Sequence, residues 1–139
     1  MKKSQRLNKT IVTVIFIIFM FFIPSTYAFE IGIDVSPNVI NIQSQSTVVT
    51  VHTDIAYSLV LGATVSLNDV DIDWWKSDDR GNFVAKFDSD DIKKLAGLEI
   101  GGYNTLTLTG FTSDGEGFTG TQDIMVIDNI PAGTAGKKI

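Results

Sequence analysis

Thr47-Val48-Val49-Thr50-Val51-His52-Thr53 is the stretch whose reading decides the fold. Alternation places Val49, Val51 and Thr53 on one face and Val48, Thr50 and His52 on the other. That is the two-residue period of a half-buried strand, not the 3.6-residue period of a helix. The pattern repeats outward in both directions. Upstream, Ile31 to Val35 opens an extended run, Ser36-Pro37-Asn38 interrupts it, and Val39 to Ile42 resumes it. Downstream, Ala63–Leu67 and Val70–Trp74 flank the turn Asn68-Asp69. Phe83–Phe87 follows the turn 78–82, Thr105–Thr109 alternates leucine with threonine, and Thr119–Asp128 closes the series. Between the last two, Ser113-Asp114-Gly115-Glu116-Gly117 has the composition of a hairpin loop. Val51, Leu106, Leu108 and Val126 are expected to face inward.

One segment departs from this period. Asp88 or Ser89 can cap a short helix with Asp90 and Asp91 in its first turn and Lys93 and Lys94 in its last, matching the helix dipole. Ile92, Leu95 and Ala96 share a face, and Gly97 can end it. The expectation is a crossover between two sheets. Roughly eight short strands, with turn signals every eight to twelve residues, favour an all-β, two-sheet sandwich. A single sheet would leave an apolar face bare, and no helix is long enough to cover it.

The first 28 residues read differently. Met1–Lys9 carries Lys2, Lys3, Arg6 and Lys9 and no acid, and Ile11–Ile23 is apolar apart from Thr13. Pro24-Ser25-Thr26-Tyr27-Ala28 then supplies small residues at −3 and −1. This is the pattern of a cleavable signal peptide. The apolar run has 13 residues, short of the roughly 20 that span a bilayer. The expected organisation is a signal peptide over 1–28, a sandwich over 29–130 and a flexible tail over 131–139. A secreted or periplasmic location follows, with no stable membrane span after cleavage. With no Cys in the chain, a lipid anchor through a lipobox Cys is excluded, and stability must come from packing rather than disulfides.

Beyond residue 28 the chain carries all 16 acidic residues but 7 of the 11 Lys and Arg, a net charge of −9. Such a surface repels nucleic acid and anionic headgroups and favours cationic partners, divalent metals included.

Particular runs resemble a bacterial and archaeal immunoglobulin-like module of secreted and cell-surface proteins. Ile33-Asp34-Val35-Ser36-Pro37 to Ile42, followed by Val48–Ile55, is similar to its opening. Val65-Ser66-Leu67-Asn68 resembles its V-x-L-N-G turn, with Asp69 in place of the glycine. Arg80-Gly81-Asn82-Phe83-Val84-Ala85-Lys86-Phe87-Asp88 resembles its G-N-L-V-x-K-F-D strand. Leu106 to Gly110, then Asp114-Gly115, Phe118, Gly120 and Ile124–Asp128, resemble its closing hairpin. The likeness spans nearly all of 31–128 and rests on core and turn residues, so it implies a fold and not an activity. It further implies a spacer or adhesive role.

No catalytic constellation stands out. His52 is the one histidine, there is no G-x-S-x-G elbow, and one His without Cys does not make a zinc site. The candidate sites are non-catalytic. Strand alternation through 68–74 places Asp69, Asp71 and Asp73 on one face, and Asp78 and Asp79 lie in the next turn, able to fold back toward them. Clustered carboxylates repel one another, and Ca²⁺ would relieve that. The spacing is not that of an EF-hand, since Trp74 and Arg80 stand where that loop needs Gly and Glu. The competing reading is a solvated edge strand whose charges block aggregation. No other cofactor is implied. Trp74 and Trp75 are adjacent, so they point to opposite faces. One is expected in the core; the other is a candidate contact for a glycan or protein, with a second Trp covering the sandwich end as the competing reading. The functional expectation is a non-catalytic exported module binding a protein or glycan at the cell surface or in the periplasm. A structural, assembly or calcium-dependent adhesive unit is the alternative.

Overall fold

The computed structural model of this protein describes residues 28–130. The expected signal peptide, Ala28 apart, and the expected tail lie outside the described residues. Ten strands follow one another: β1 (Phe29–Glu30), β2 (Ile33–Ser36), β3 (Val39–Asn41), β4 (Val48–Ala56), β5 (Ser66–Leu67), β6 (Val70–Asp71), β7 (Trp74–Ser77), β8 (Asn82–Asp88), β9 (Gly102–Phe111) and β10 (Gly117–Ile127). Among the described residues one α-helix, α1 (Ser89–Lys93), joins β8 to β9. The first sheet runs β1-β10-β9-β5-β6, with β3 also on β10, and the second runs β2-β4-β8-β7.

The inward faces of the two sheets form one core. Val49, Val51 and Ile55 of β4 and Phe83, Ala85 and Phe87 of β8 meet Leu106 and Leu108 of β9 and Phe118, Ile124 and Val126 of β10. The decisive run behaves as its period demands. Val49, Val51 and Thr53 are buried and His52 is exposed. Thr53 satisfies its buried hydroxyl by donating to the Phe83 carbonyl at 2.6 Å. Val51, Leu106, Leu108 and Val126 have no exposed surface, each such side chain contributing roughly 1.5–3 kcal/mol through burial.

Two expected strands are each divided between the sheets, which raises eight to ten. In the opening run, Ile31 N–H donates to the Thr119 carbonyl in the first sheet. Gly32 N–H then turns to the Asp54 carboxylate, and β2 pairs with β4 in the second. The run 70–74 divides in the same way. Asn68 and Asp69 take φ of 45° and 66°, the paired positive values of a tight hairpin turn between β5 and β6. Ile72 N–H still bonds to Val65 of the first sheet, but Asp73 N–H bonds to Lys86 of the second. The chain changes layers here because Ile72 packs against the core while the aspartates on either side stay in water.

The helix forms as its sequence requires. Asp88 caps it by accepting from the Asp90 N–H at 2.9 Å, and Ile92 is its buried anchor. Gly97 takes φ of 80° two residues past its last hydrophobic contact, Leu95. The helix carries the chain from the second sheet to the first, as expected of a crossover.

Candidate binding surface

The antiparallel registers place three connections at one end of the sandwich: 57–65 between β4 and β5, 78–81 between β7 and β8, and 112–116 between β9 and β10. Backbone hydrogen bonds tie them together. Tyr57 N–H donates to the Gly81 carbonyl at 2.8 Å, Leu61 N–H to the Phe111 carbonyl at 3.0 Å, and Ser113 N–H to the Leu59 carbonyl at 2.9 Å. Val60 and Thr112 thereby form an antiparallel bridge. Val60 and Thr112 point toward the core side. Leu59, Leu61 and Phe111 therefore point the other way, and they are 47%, 45% and 51% exposed. Leu61 stands directly opposite Phe111, close enough for their side chains to cover the same ground.

Further apolar groups adjoin them. Tyr57 stacks on Phe83 with centroids 6.2 Å apart. Phe29 lies 6.2 Å from Phe118. Trp75 is opposite Ala85, an inward position, yet it stays partly exposed because its indole covers the backbone of Gly62 at the edge of the sandwich. Beside Phe111 is an open groove of about 250 Å³, with Thr64, Gly110, Gly117 and Phe118 in its walls. Among the described residues eleven large hydrophobic side chains are left exposed, and six of them, Phe29, Tyr57, Leu59, Leu61, Trp75 and Phe111, lie at or against this end. Scattered single hydrophobics are ordinary on a surface, whereas a group of them gathered on hydrogen-bonded loops is a candidate interaction surface.

Trp74 occupies the opposite face of its strand. It pairs with Lys86, whose ammonium sits 5.0 Å from the centre of the indole ring and also reaches the Thr50 hydroxyl at 3.3 Å. A cross-strand row, Ser36–Thr50–Lys86–Trp74, thus runs over the outer face of the second sheet. The expectation that one tryptophan joins the core fails, since both are exposed: Trp74 is presented on an outer sheet face, and Trp75, though opposite inward Ala85, covers the sandwich end over Gly62.

The five aspartates nominated for Ca²⁺ occupy four different settings. Asp69 is in the hairpin turn, Asp71 is on the edge strand β6 opposite Ser66, and Asp73 sits at the layer crossover. Asp78 and Asp79 are in the β7–β8 turn. The Asp78 carboxylate is already engaged there, accepting from Asn82 N–H at 2.9 Å and Arg80 N–H at 2.8 Å. The Asn82 bond above all, with the Arg80 bond and charge adding to it, holds this carboxyl below its ordinary pKa. Among the described residues no three His, Cys, Asp or Glu side chains come together as a group able to hold a metal ion. No helix among those residues is long and apolar enough to cross a membrane.

No family model, curated protein or solved structure matches this chain. The surface must therefore be read from its own chemistry. Sequence reasoning passed over Tyr57–Leu61 because the run joins no strand and holds no residue of obvious chemistry. The available signal was composition: four apolar residues in five, in a segment whose ladder partners could not be assigned.

Proposed function

We propose that this chain is an exported, non-catalytic interaction module of immunoglobulin-like type that meets a protein partner through its loop end. The strand order supports the fold part of this reading. With β2 as strand A, the series β2-β4-β8-β7 corresponds to A-B-E-D, and β10-β9-β5 corresponds to G-F-C. The basic, apolar and small-residue zones of residues 1–28 support export. The observation that carries the functional part is the trio Leu59, Leu61 and Phe111, exposed on loops that hydrogen bonds hold to each other.

A photo-crosslinking amino acid placed at Phe111 in the producing cell tests it, with Thr121, exposed on the outer face of the first sheet, as control. An adduct of protein mass at position 111 and none at 121 is expected. Equal labelling at both positions, or none at either, overturns the reading. A second reading, glycan binding, is favoured by the Trp74 indole at the end of a row of hydrogen-bonding side chains. Retention on a polysaccharide matrix that disappears in Trp74→Ala, with no adduct at position 111, selects that reading instead.

A further inference from the structure

We infer that the partner's contact segment presents a bulky apolar side chain flanked by lysine or arginine. This rests on the loop-end reading above and adds the chemistry of the partner to it. The apolar half of the argument is the groove of about 250 Å³ beside Phe111. Gly117 brings no side chain and so leaves the flank of the Phe111 ring open, while the space beside Gly110 is filled from within by Phe118 and Val65. That shape takes one large apolar side chain laid against the Phe111 ring. Thr64, Gly110, Phe111, Gly117 and Phe118 all follow residue 28 in sequence, so signal-peptide removal leaves these walls in place; it takes away Ala28, which also lines the groove, and leaves the Phe29 α-ammonium there as a single positive charge among the four carboxylates named below.

The charge around the groove supplies the other half. Three segments build this part of the end: 28–32, 54–66 and 109–120. Together they contain Glu30, Asp54, Asp114 and Glu116 and no Lys or Arg. Asp114 and Glu116 flank Gly115, which lines the groove, and Glu30 lies two residues past Ala28, which also lines it. Among the described residues none of these four carboxylates is in an ion pair, the one such pair joining Lys93 to Asp90 on the helix. Of the three connections at this end, the one with a basic residue is 78–81, where Arg80 stands beside Asp78 and Asp79.

An apolar centre with an acidic rim selects among occupants. A second copy would press acidic rim against acidic rim. Anionic lipid and nucleic acid meet the same repulsion. A protein segment with a cationic border gains on both counts: its apolar side chain leaves water in the groove, and its charges steer the encounter.

The test uses the exported protein as recovered from the cell and a synthetic probe, Lys-Leu-Lys-Phe-Lys-Leu-Lys. Two control peptides replace all Lys with Glu, or all apolar residues with Ser. Binding is followed by calorimetry at low and moderate salt. The Lys/apolar probe is expected to bind and both controls to fail. Leu61→Ser with Phe111→Ser should weaken binding at least about tenfold at fixed salt. Asp114→Asn with Glu116→Gln should weaken it and flatten its salt dependence. These are exposed positions, so thermal melts of the variants should match the parent and exclude misfolding. Binding that survives the Leu61/Phe111 change is diffuse attraction to an acidic surface and overturns the inference. So does equal binding of the Glu peptide, or a concentration-dependent dimer in sedimentation that Phe111→Ser abolishes. If the probe fails while the crosslink at position 111 persists, the partner chemistry is refuted and the loop-end reading stands. If both fail, the reading itself falls.

Discussion

Gly62→Ala probes how the loop end is attached to the sandwich. A Cβ built on Gly62 would lie 2.2 Å from Trp75 Cε2 and 2.5 Å from both Cδ2 and Nε1. Non-bonded carbons rest at about 3.5–4.0 Å, so the indole must retreat by more than an ångström. It cannot do so within its own plane, because three ring atoms are struck at once. Overpacking of this kind costs about 1–3 kcal/mol when neighbours yield in part. The ceiling is complete ejection of the ring. Trp75 is 38% exposed. A tryptophan buries up to about 250 Å², so roughly 150 Å² is at stake, about 4 kcal/mol at 25 cal/mol/Å². Urea melts of Gly62→Ala, Trp75→Ala and the double variant, followed by tryptophan emission and circular dichroism, give the values. The expected loss for Gly62→Ala is about 1–3 kcal/mol. The double variant should be close to Trp75→Ala alone, since the methyl then meets no ring. The expected red shift of emission reports an indole moved into water. A loss below about 0.5 kcal/mol, within the range of ordinary surface changes, or strict additivity in the cycle, would refute the contact and the account of how 57–65 is seated.

Leu108→Ala removes a side chain with no exposed surface, opposite Leu67 and Gly120. It should cost about 2–5 kcal/mol, against less than about 0.5 kcal/mol for exposed Thr121→Ala, both read from urea midpoints at unchanged slope. Asp78 has a lowered pKa in the folded state, chiefly through its bond from Asn82 N–H. Its ionised form therefore stabilises the fold above the unfolded pKa of about 3.9, and that contribution is lost as pH falls through the folded value. Asp78→Asn should accordingly be less stable than the parent at neutral pH and converge on it in acid, in melts run across pH 2–7, an approximate range bracketing that transition; a gap constant with pH would contradict this. Because no three carboxylates are grouped among the described residues, Ca²⁺ and Mg²⁺ at matched ionic strength should raise the melting temperature equally, and Asp71→Asn should not change the shift. A Ca²⁺-specific gain, about 2.7 kcal/mol at 100 times the dissociation constant, that vanishes in Asp71→Asn would instead reveal a site assembled on binding.

Most of the sandwich was legible because the long strands β4, β9 and β10 bury one face and wet the other, although β8 also buries Val84 on its outward side. Alternation at Val49–Val51–Thr53 and Leu106–Leu108 could not be satisfied in any other register without turning leucine and valine into water. The places where the reading failed are those where a strand stops short. Asp69, Asp71 and Asp73 share a parity, and parity implies a shared face only while the strand continues in one sheet. At Ile72 and Asp73 consecutive amides bond to different sheets, and nothing local announces this, because the cause is the distance between layers. The tryptophans show the same division. Adjacency was enough to send their rings to opposite faces, but Trp75 is held at the sandwich rim by a glycine thirteen positions earlier, in a different connection. The loop end was the least legible feature. Leu59, Leu61 and Phe111 become a surface through two backbone hydrogen bonds between segments some fifty residues apart. Each looks, in its own neighbourhood, like a residue bound for the core. Their exposure depends on Val60 and Thr112 taking the inward side of that bridge. The inward turn of Val60 and the exposure of Leu59 and Leu61 are thus one choice made by the bridge, and it is this choice that leaves large apolar side chains in water at the end of a packing scaffold.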